Sequence, residues 1–155
     1  MRALHLLPVI LALFFSCIRE ETCEEDPGSF LVTRFKTPGQ PVSDTIINKL
    51  SIYGIDESGS RGLLYDSAQL SRAVLPLDAH HNRTRFVLTA AGKTDTLEIL
   101  HSNEVYLISY ACGFGIRYTL TGTGHTGQMI DSSQIIEQTI DAEMLTDEEH
   151  IWIYF

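Results

Sequence analysis

The three cysteines, Cys17, Cys23 and Cys112, are the residues of this chain with the widest covalent chemistry. A cysteine sulfur can be acylated, paired in a disulfide or bound to a metal, and its surroundings decide which of these occurs. No two of them have the C-x-x-C spacing of dithiol redox sites, so redox catalysis is not expected. One cysteine directly follows an apolar run, and two remain for other chemistry.

Cys17 ends a segment typical of an exported leader. A positively charged start and a largely apolar run over residues 3–15 precede Ser16 and Cys17. A run of this length suits the core of a signal peptide better than a membrane span. The Ser-Cys step resembles the lipobox of bacterial lipoproteins, which predicts a signal peptide over residues 1–16 and acyl chains such as palmitate on Cys17. An ordinary cleaved signal, with Cys17 as a free or paired thiol, is the alternative.

Cys23 and Cys112 are predicted to form a disulfide bond. Export places both thiols in an oxidising compartment, where paired thiols tend to become disulfides. The bridge would close a ring of about 90 residues, and the chain-entropy account gives a stabilisation of about 4–5 kcal/mol for such a ring. Two buried free thiols are the alternative.

The remaining motifs favour no catalytic or cofactor site. His80 and His81 are adjacent and would point to opposite faces of a strand, whereas zinc needs three or four converging ligands. Residues 122–127 match the pattern G-x-G-x-x-G, but a dinucleotide site also needs a following helix within a βαβ unit. Residues 129–140 are predicted to be loop and strand, so a flexible hairpin loop is predicted for the motif. We therefore predict no metal, no cofactor and no enzyme activity, with an exported hydrolase or metal-dependent enzyme as an alternative.

Two further sets of residues are candidates for contact or modification. Trp152 and Tyr154 alternate in sequence and share one face of a predicted strand, where aromatic rings stack on sugars or on a partner protein. Packing of both rings within the domain is the alternative. Three Asp-Ser/Thr-apolar triplets resemble the O-glycosylation acceptors of exported Bacteroidota proteins, and local turn chemistry is the alternative. Their acceptor residues are Thr45, Ser67 and Thr96.

Composition limits the classes of partner. The chain of 155 residues has a net charge of −9, which disfavours contact with nucleic acid because phosphate backbones are also anionic. Its hydrophobic content of 44% is that of a folded domain rather than a disordered one. After the leader, no second apolar run is long enough for a spanning helix.

The elements that must position these residues are strands. Segments rich in β-branched and aromatic residues follow one another from residue 29 onward, separated by glycine, proline and polar turns. In the segment 46–55, Leu50 and Ile52 fall on one face, and Pro76 marks an edge strand. About seven to nine short antiparallel strands predict an all-β domain, an immunoglobulin-like β-sandwich over residues 29–155. Residues 17–28 are then a lipidated tether.

Several segments together resemble an uncharacterised Bacteroidota lipoprotein family, the domain of unknown function 6452. They are Cys23 with the acids behind it and the segments 30–35, 73–77, 111–114 and 149–155. The Cys-Gly-Phe step at residues 112–114, combined with the earlier cysteine, is the most specific of them. The resemblance implies a lipoprotein and implies no activity and no catalytic residue.

The sequence therefore predicts a non-catalytic binding or accessory module of the cell envelope. The lipid on Cys17 would hold it to the outer membrane, on the periplasmic or the outer surface, and its other partner would be an envelope protein or a glycan. A glycan-binding surface module that uses Trp152 and Tyr154 is the alternative function.

Overall fold

A computed structural model describes residues 28–59, 61–142 and 148–155 of the chain. The described residues form eleven β-strands. They are β1 (Phe30–Thr37), β2 (Ser43–Asp44), β3 (Ile47–Ile55), β4 (Arg61–Leu70), β5 (Arg72–Pro76), β6 (Arg83–Ala90), β7 (Lys93–Ser109), β8 (Gly113–His125), β9 (Ser132–Ile135), β10 (Thr139–Ile140) and β11 (Ile151–Tyr154). No helix within these three ranges is long and apolar enough to cross a membrane.

Two sheets pack against each other. The six-stranded sheet has the order β10-β8-β7-β6-β3-β4, and the five-stranded sheet has the order β2-β1-β11-β9 with β5 also paired to β1. Strands β1 and β11 run parallel, with Arg34 beside Trp152 and Lys36 beside Tyr154. The predicted all-β sandwich is therefore confirmed.

The core lies between the sheets and is built from alternate residues of each strand. Phe35 of β1 and Ile153 of β11 face Leu50 and Ile52 of β3, all fully buried. Alternation of this kind is what two sheets need, because every second side chain of a strand points to the same face. The prediction that Leu50 and Ile52 share one face of their strand is confirmed, and that face is the buried one.

The strand count and one pairing differ from the prediction. Eleven strands occur instead of seven to nine, and the β1–β11 pair is parallel rather than antiparallel. The additional strands include β2 and β10, of two residues each, which carry too few side chains for a detectable alternation. Strand β7 runs unbroken from residue 93 to 109, and a register shift after Leu100 keeps it paired with β8.

Candidate functional site

The β7–β8 hairpin is the feature of the fold that extends furthest beyond its neighbouring strands. Strand β6 pairs with β7 only as far as Leu100, opposite Arg83, whereas β7 and β8 continue to pair up to Ser109 and Gly113. We call residues 105–116 the hairpin tip. Across the described part of the chain, β7 residues within the tip pair with β8 and with no other strand.

One face of the hairpin tip is apolar and exposed to solvent. Leu107 pairs with Phe114 and Val105 pairs with Ile116, so these side chains share a face. Val105 is 69%, Leu107 47% and Phe114 71% exposed, and Tyr110 in the turn is 97% exposed. Scattered exposed apolar residues are ordinary, but neighbouring ones on one face mark a contact surface.

The opposite face of the hairpin tip is covered. The ring of Tyr106 lies under the Arg117 guanidinium, whose central carbon is 4.4 Å from the ring centroid. The Tyr106 hydroxyl accepts a hydrogen bond from the backbone N–H of Ala142 at 3.0 Å. Gly115 lies directly under Ile108, where a Cβ atom would be 2.8 Å from the Ile108 Cδ1 atom. The tip is thus packed on one face and bare on the other.

The start of the described chain lies at the base of the same tip. The Ser29 hydroxyl donates to the carbonyl oxygen of Ile116 at 2.5 Å. Cys112 is half-buried in the turn, and its backbone N–H donates to the Ser109 hydroxyl at 3.0 Å. Cys17 and Cys23 lie outside the described residues, so lipidation and the disulfide both stay predictions.

Trp152 and Tyr154 do share a face, on the outer side of the five-stranded sheet. There the Lys36 ammonium lies 4.3 Å from the centroid of the Trp152 ring. The indole N–H of Trp152 donates to Glu149 Oε2 at 2.5 Å, and the Tyr154 hydroxyl is 3.3 Å from Gln134 Oε1. Both aromatic residues are half-buried. Because these contacts already use the ring face and the polar groups, a sugar would have to displace Lys36 to stack on Trp152.

Glu149 organises this outer face. Its carboxylate accepts from Arg34 Nε at 2.7 Å and lies 3.7 Å from the Lys36 ammonium. Burial alone raises the pKa of Glu149, but the hydrogen bonds from Arg34 and Trp152 and the two cations lower it below its ordinary value. The face is therefore an internally paired ionic network.

The glycine-rich motif proves to be strand, and the predicted flexible loop is wrong. Residues 122–125 belong to β8, with Gly122 opposite Leu100 and Gly124 opposite Glu98. Glycine is favoured at residue 127, where φ is 75° and the chain turns away from the sheet. The motif ends a long strand and resembles no phosphate-binding loop.

Asp95 is the ordered polar site that the sequence did not reveal. Its carboxylate is fully buried and accepts hydrogen bonds from the Thr126 hydroxyl and from three consecutive backbone N–H groups, those of Gln128, Met129 and Ile130. Burial raises the pKa of Asp95, but these donors outweigh it and hold the pKa well below its usual range. A charged carboxylate thus fixes the segment that leads from β8 to β9.

The histidines are dispersed. His81 Nδ1 lies 2.7 Å from Asp78, while His101 and His150 are buried in separate places. His101 bonds Thr84 and Asn103 at 2.9 and 2.7 Å. The Asn103 amide in turn donates to the carbonyl oxygens of Ala79 and His81 and so anchors the β5–β6 loop. Within the described residues, no three His, Cys, Asp or Glu side chains are grouped to hold a metal ion.

A shallow cleft of about 450 Å³ lies at the end of the β3–β4 hairpin, beside the β5–β6 loop. Its polar lining includes Arg61, Asp78 and Thr84. The Asp78 carboxylate already accepts from the His80 backbone N–H and contacts His81, and the Thr84 hydroxyl accepts from the Asp78 N–H. Asp78 and Thr84 are therefore already bonded within the protein, which leaves the cleft fewer polar groups to offer a ligand.

The three predicted glycosylation acceptors lie apart. Ser67 is exposed at an irregular position of β4 with a φ of 44°, whereas Thr45 and Thr96 are half-buried. The backbone N–H of Thr96 donates to the Thr126 hydroxyl at 3.0 Å. Ser67 is therefore the most accessible of the three, and all three stay predictions.

Comparison with known proteins identifies a family for this chain. Neither a search of curated proteins nor a search of solved structures gave a match. The sequence profile of a family of unknown function, DUF6452, matches residues 49–155. The match covers the strands from within β3 to β11, including the whole hairpin tip. This chain therefore belongs to the family of unknown function DUF6452.

Proposed function

We propose that the protein is a lipid-anchored, non-catalytic binding module of the cell envelope. In this proposal, residues 1–16 are removed on export and Cys17 carries the acyl chains. Residues 17–28 form the tether, and the sandwich acts at the outer membrane, on its periplasmic or its outer side. The apolar leader and the small residue before Cys17 support the export and the anchor.

The observation that carries the proposal is the bare apolar face of the hairpin tip, next to the point where the described chain begins. A surface of this kind supports binding by contact rather than chemistry within a pocket. Ser29, bonded to Ile116, brings the tether side of the chain to the same end of the sandwich. Anchor and contact surface would then act together.

A Cys23–Cys112 disulfide is part of the same proposal. Five residues separate Cys23 from Ser29, and such a segment spans at most about 20 Å, which is enough to reach from Ile116 to the turn at Cys112. The bridge would hold the tether against the hairpin tip. It would also reduce the freedom of the unfolded chain.

Mass spectrometry of protein purified from a bacterial host that acylates lipoproteins tests the anchor. We expect an intact mass that lacks residues 1–16 and includes acyl chains, and a Cys17→Ala control without them. A non-reducing peptide map should link Cys23 to Cys112. An intact leader, or an unmodified thiol at Cys17, would contradict the anchor, and two separate thiol peptides would contradict the bridge.

The glycan-binding alternative has weaker support. Trp152 and Tyr154 share an outward face, but Lys36 and Glu149 already contact the Trp152 ring and its N–H. A glycan array probed with the folded protein tests this alternative directly. Specific binding that is lost in Trp152→Ala and kept in Phe114→Ser would favour the glycan function over contact through the hairpin tip.

A further inference from the structure

We infer that the ligand of the hairpin tip is the lipid surface itself, so that the tip lies in the bilayer interface beside the acyl anchor. The inference rests on the proposed anchor at Cys17 and adds a second, non-covalent membrane contact. Phospholipid would contact the bare face of the tip, which is formed by Val105, Leu107 and Phe114 with Tyr110 at the turn.

The first argument is the chemistry of the tip. Between Glu104 and Arg117 there is no acidic, basic or histidine residue, in a chain whose net charge is −9. Apolar side chains gain by entering the acyl region, while aromatic rings such as that of Tyr110 favour the level of the headgroups. Charged residues would oppose such entry, and the twelve residues of the tip have none.

The second argument is the length and position of the tether. Ten residues lie between Cys17 and Gly28, so the anchor is at most about 40 Å of chain from the described domain. That domain begins at the base of the tip, because Ser29 is bonded to Ile116. An acylated Cys17 would therefore keep the tip at a high effective concentration near the bilayer.

The third argument is the orientation of the hairpin. Tyr106 and Ile108 lie on its outward face, where Arg117 and Gly115 contact them. Leu107 and Phe114 lie on the face that continues the core side of the sheet, where they are bare because they extend beyond the core. A hairpin held by this packing presents its apolar face with a reduced cost of ordering on binding. Insertion of the tip into the bilayer interface would fix the orientation of the sandwich relative to the membrane.

Tryptophan quenching in the full-length acylated protein tests the inference. Trp152 is the single tryptophan, so Trp152→Phe supplies a silent background. Into it we would place Tyr110→Trp at the tip or Lys93→Trp at the opposite, exposed end of β7, a strand of 17 residues. Both proteins are reconstituted into phosphatidylethanolamine–phosphatidylglycerol vesicles with brominated acyl chains, and folding is checked by circular dichroism.

We expect the Tyr110→Trp emission to shift to the blue and to fall by roughly half, since interfacial groups lie about 5–10 Å deep, near the acyl boundary. The Lys93→Trp emission should not change. Adding Leu107→Ser and Phe114→Ser should abolish the quenching at residue 110 while the acyl chains still float the protein with the vesicles.

The outcomes separate the inference from the anchor. A protein without acyl mass overturns both. Acylated protein that floats with vesicles while Tyr110→Trp stays unquenched overturns the inference alone. Equal quenching at residues 110 and 93, or quenching that survives the two serine substitutions, also overturns it, because contact would then not depend on the apolar face.

Discussion

The backbone N–H of Met129 donates to Asp95 Oδ2 at 2.6 Å, which ties the start of β7 to the segment after β8. Ile130 donates to the same oxygen at 2.8 Å, and Gln128 donates to both carboxylate oxygens. Three consecutive amide groups of a turn are thus satisfied by one buried side chain. A carboxylate surrounded by N–H donors is stable only in its charged form.

We predict that Asp95→Asn lowers the free energy of unfolding by about 2–4 kcal/mol, because the amide NH₂ group would face backbone donors. Since the folded-state pKa of Asp95 is depressed, its contribution is complete above the unfolded pKa of about 3.9 and is lost as the pH falls through the folded value. Urea unfolding at pH 7 and pH 3 measures both effects. Asp131→Asn, at an exposed position nearby, is the control and should be near neutral.

Because of His150, we expect the stability of the protein to depend on pH in a higher range than it does because of Asp95. The side chain is fully buried, and its Nδ1 atom accepts from the Val32 N–H at 3.0 Å. Burial lowers the pKa of His150, against the opposing effect of Glu137 and Asp141. The unfolded chain then takes up a proton at about pH 6.5 before the folded protein does, so stability falls as the pH drops below that value.

His150→Asn should keep an acceptor for Val32 and remove the titration. We expect a smaller loss of stability between pH 7.5 and pH 5.5 than in the wild type, measured as the shift in urea midpoint. His125→Gln changes an exposed histidine and should leave the slope as it is. A His150→Asn slope equal to that of the wild type would contradict the assignment.

The β6–β7 turn contains backbone strain that a substitution should relieve. Ala91 and Gly92 have φ values of 50° and 75°, the pattern of a two-residue hairpin turn that favours Asn-Gly. Because a Cβ atom costs about 1–2 kcal/mol in this left-handed region and Asn tolerates it better, Ala91→Asn should stabilise by about 0.5–1 kcal/mol. Thermal unfolding checks it. Ala91→Val should do the reverse, and a lower Tm for Ala91→Asn would refute the proposed strain.

Glu149→Ala tests the ionic network around Trp152. The ion pair with Arg34 is about one-fifth exposed on each side, so we expect a loss of no more than about 1 kcal/mol. The larger change should be in acrylamide quenching of Trp152, which would rise once its N–H partner is removed. Glu148→Ala alters the neighbouring, exposed acid and should leave the quenching unchanged.

The β-sandwich could be predicted because a strand that is buried on one face has apolar residues at every second position of its sequence. Leu50 and Ile52 show it, and Pro76 ends β5, which pairs with β1 alone among the described strands, as an edge strand should. In the β7–β8 hairpin the same alternation does not indicate burial. Val105 and Leu107 alternate like core residues, yet they lie beyond the end of β6 and face solvent.

Asp95 could have been identified from its position in the alternating pattern of β7. With Leu97, Ile99 and His101 it occupies the inward positions of β7, all four of them buried. A polar residue at an inward position must have buried partners. Those partners are mostly backbone N–H groups, which every residue carries, so no sequence pattern identifies residues 128–130 as the donors. The bare face of the hairpin tip depends in the same way on tertiary structure.

The parallel β1–β11 pair also governs how the chain must be assembled. Synthesis delivers residues 33–36 early, but their neighbours, residues 151–154, leave the ribosome only after all other described strands. Until then one edge of β1 has open N–H and C=O groups, the kind of template on which foreign strands add. A nascent or prematurely terminated chain is therefore a natural client for chaperones, whereas the finished chain closes that edge itself.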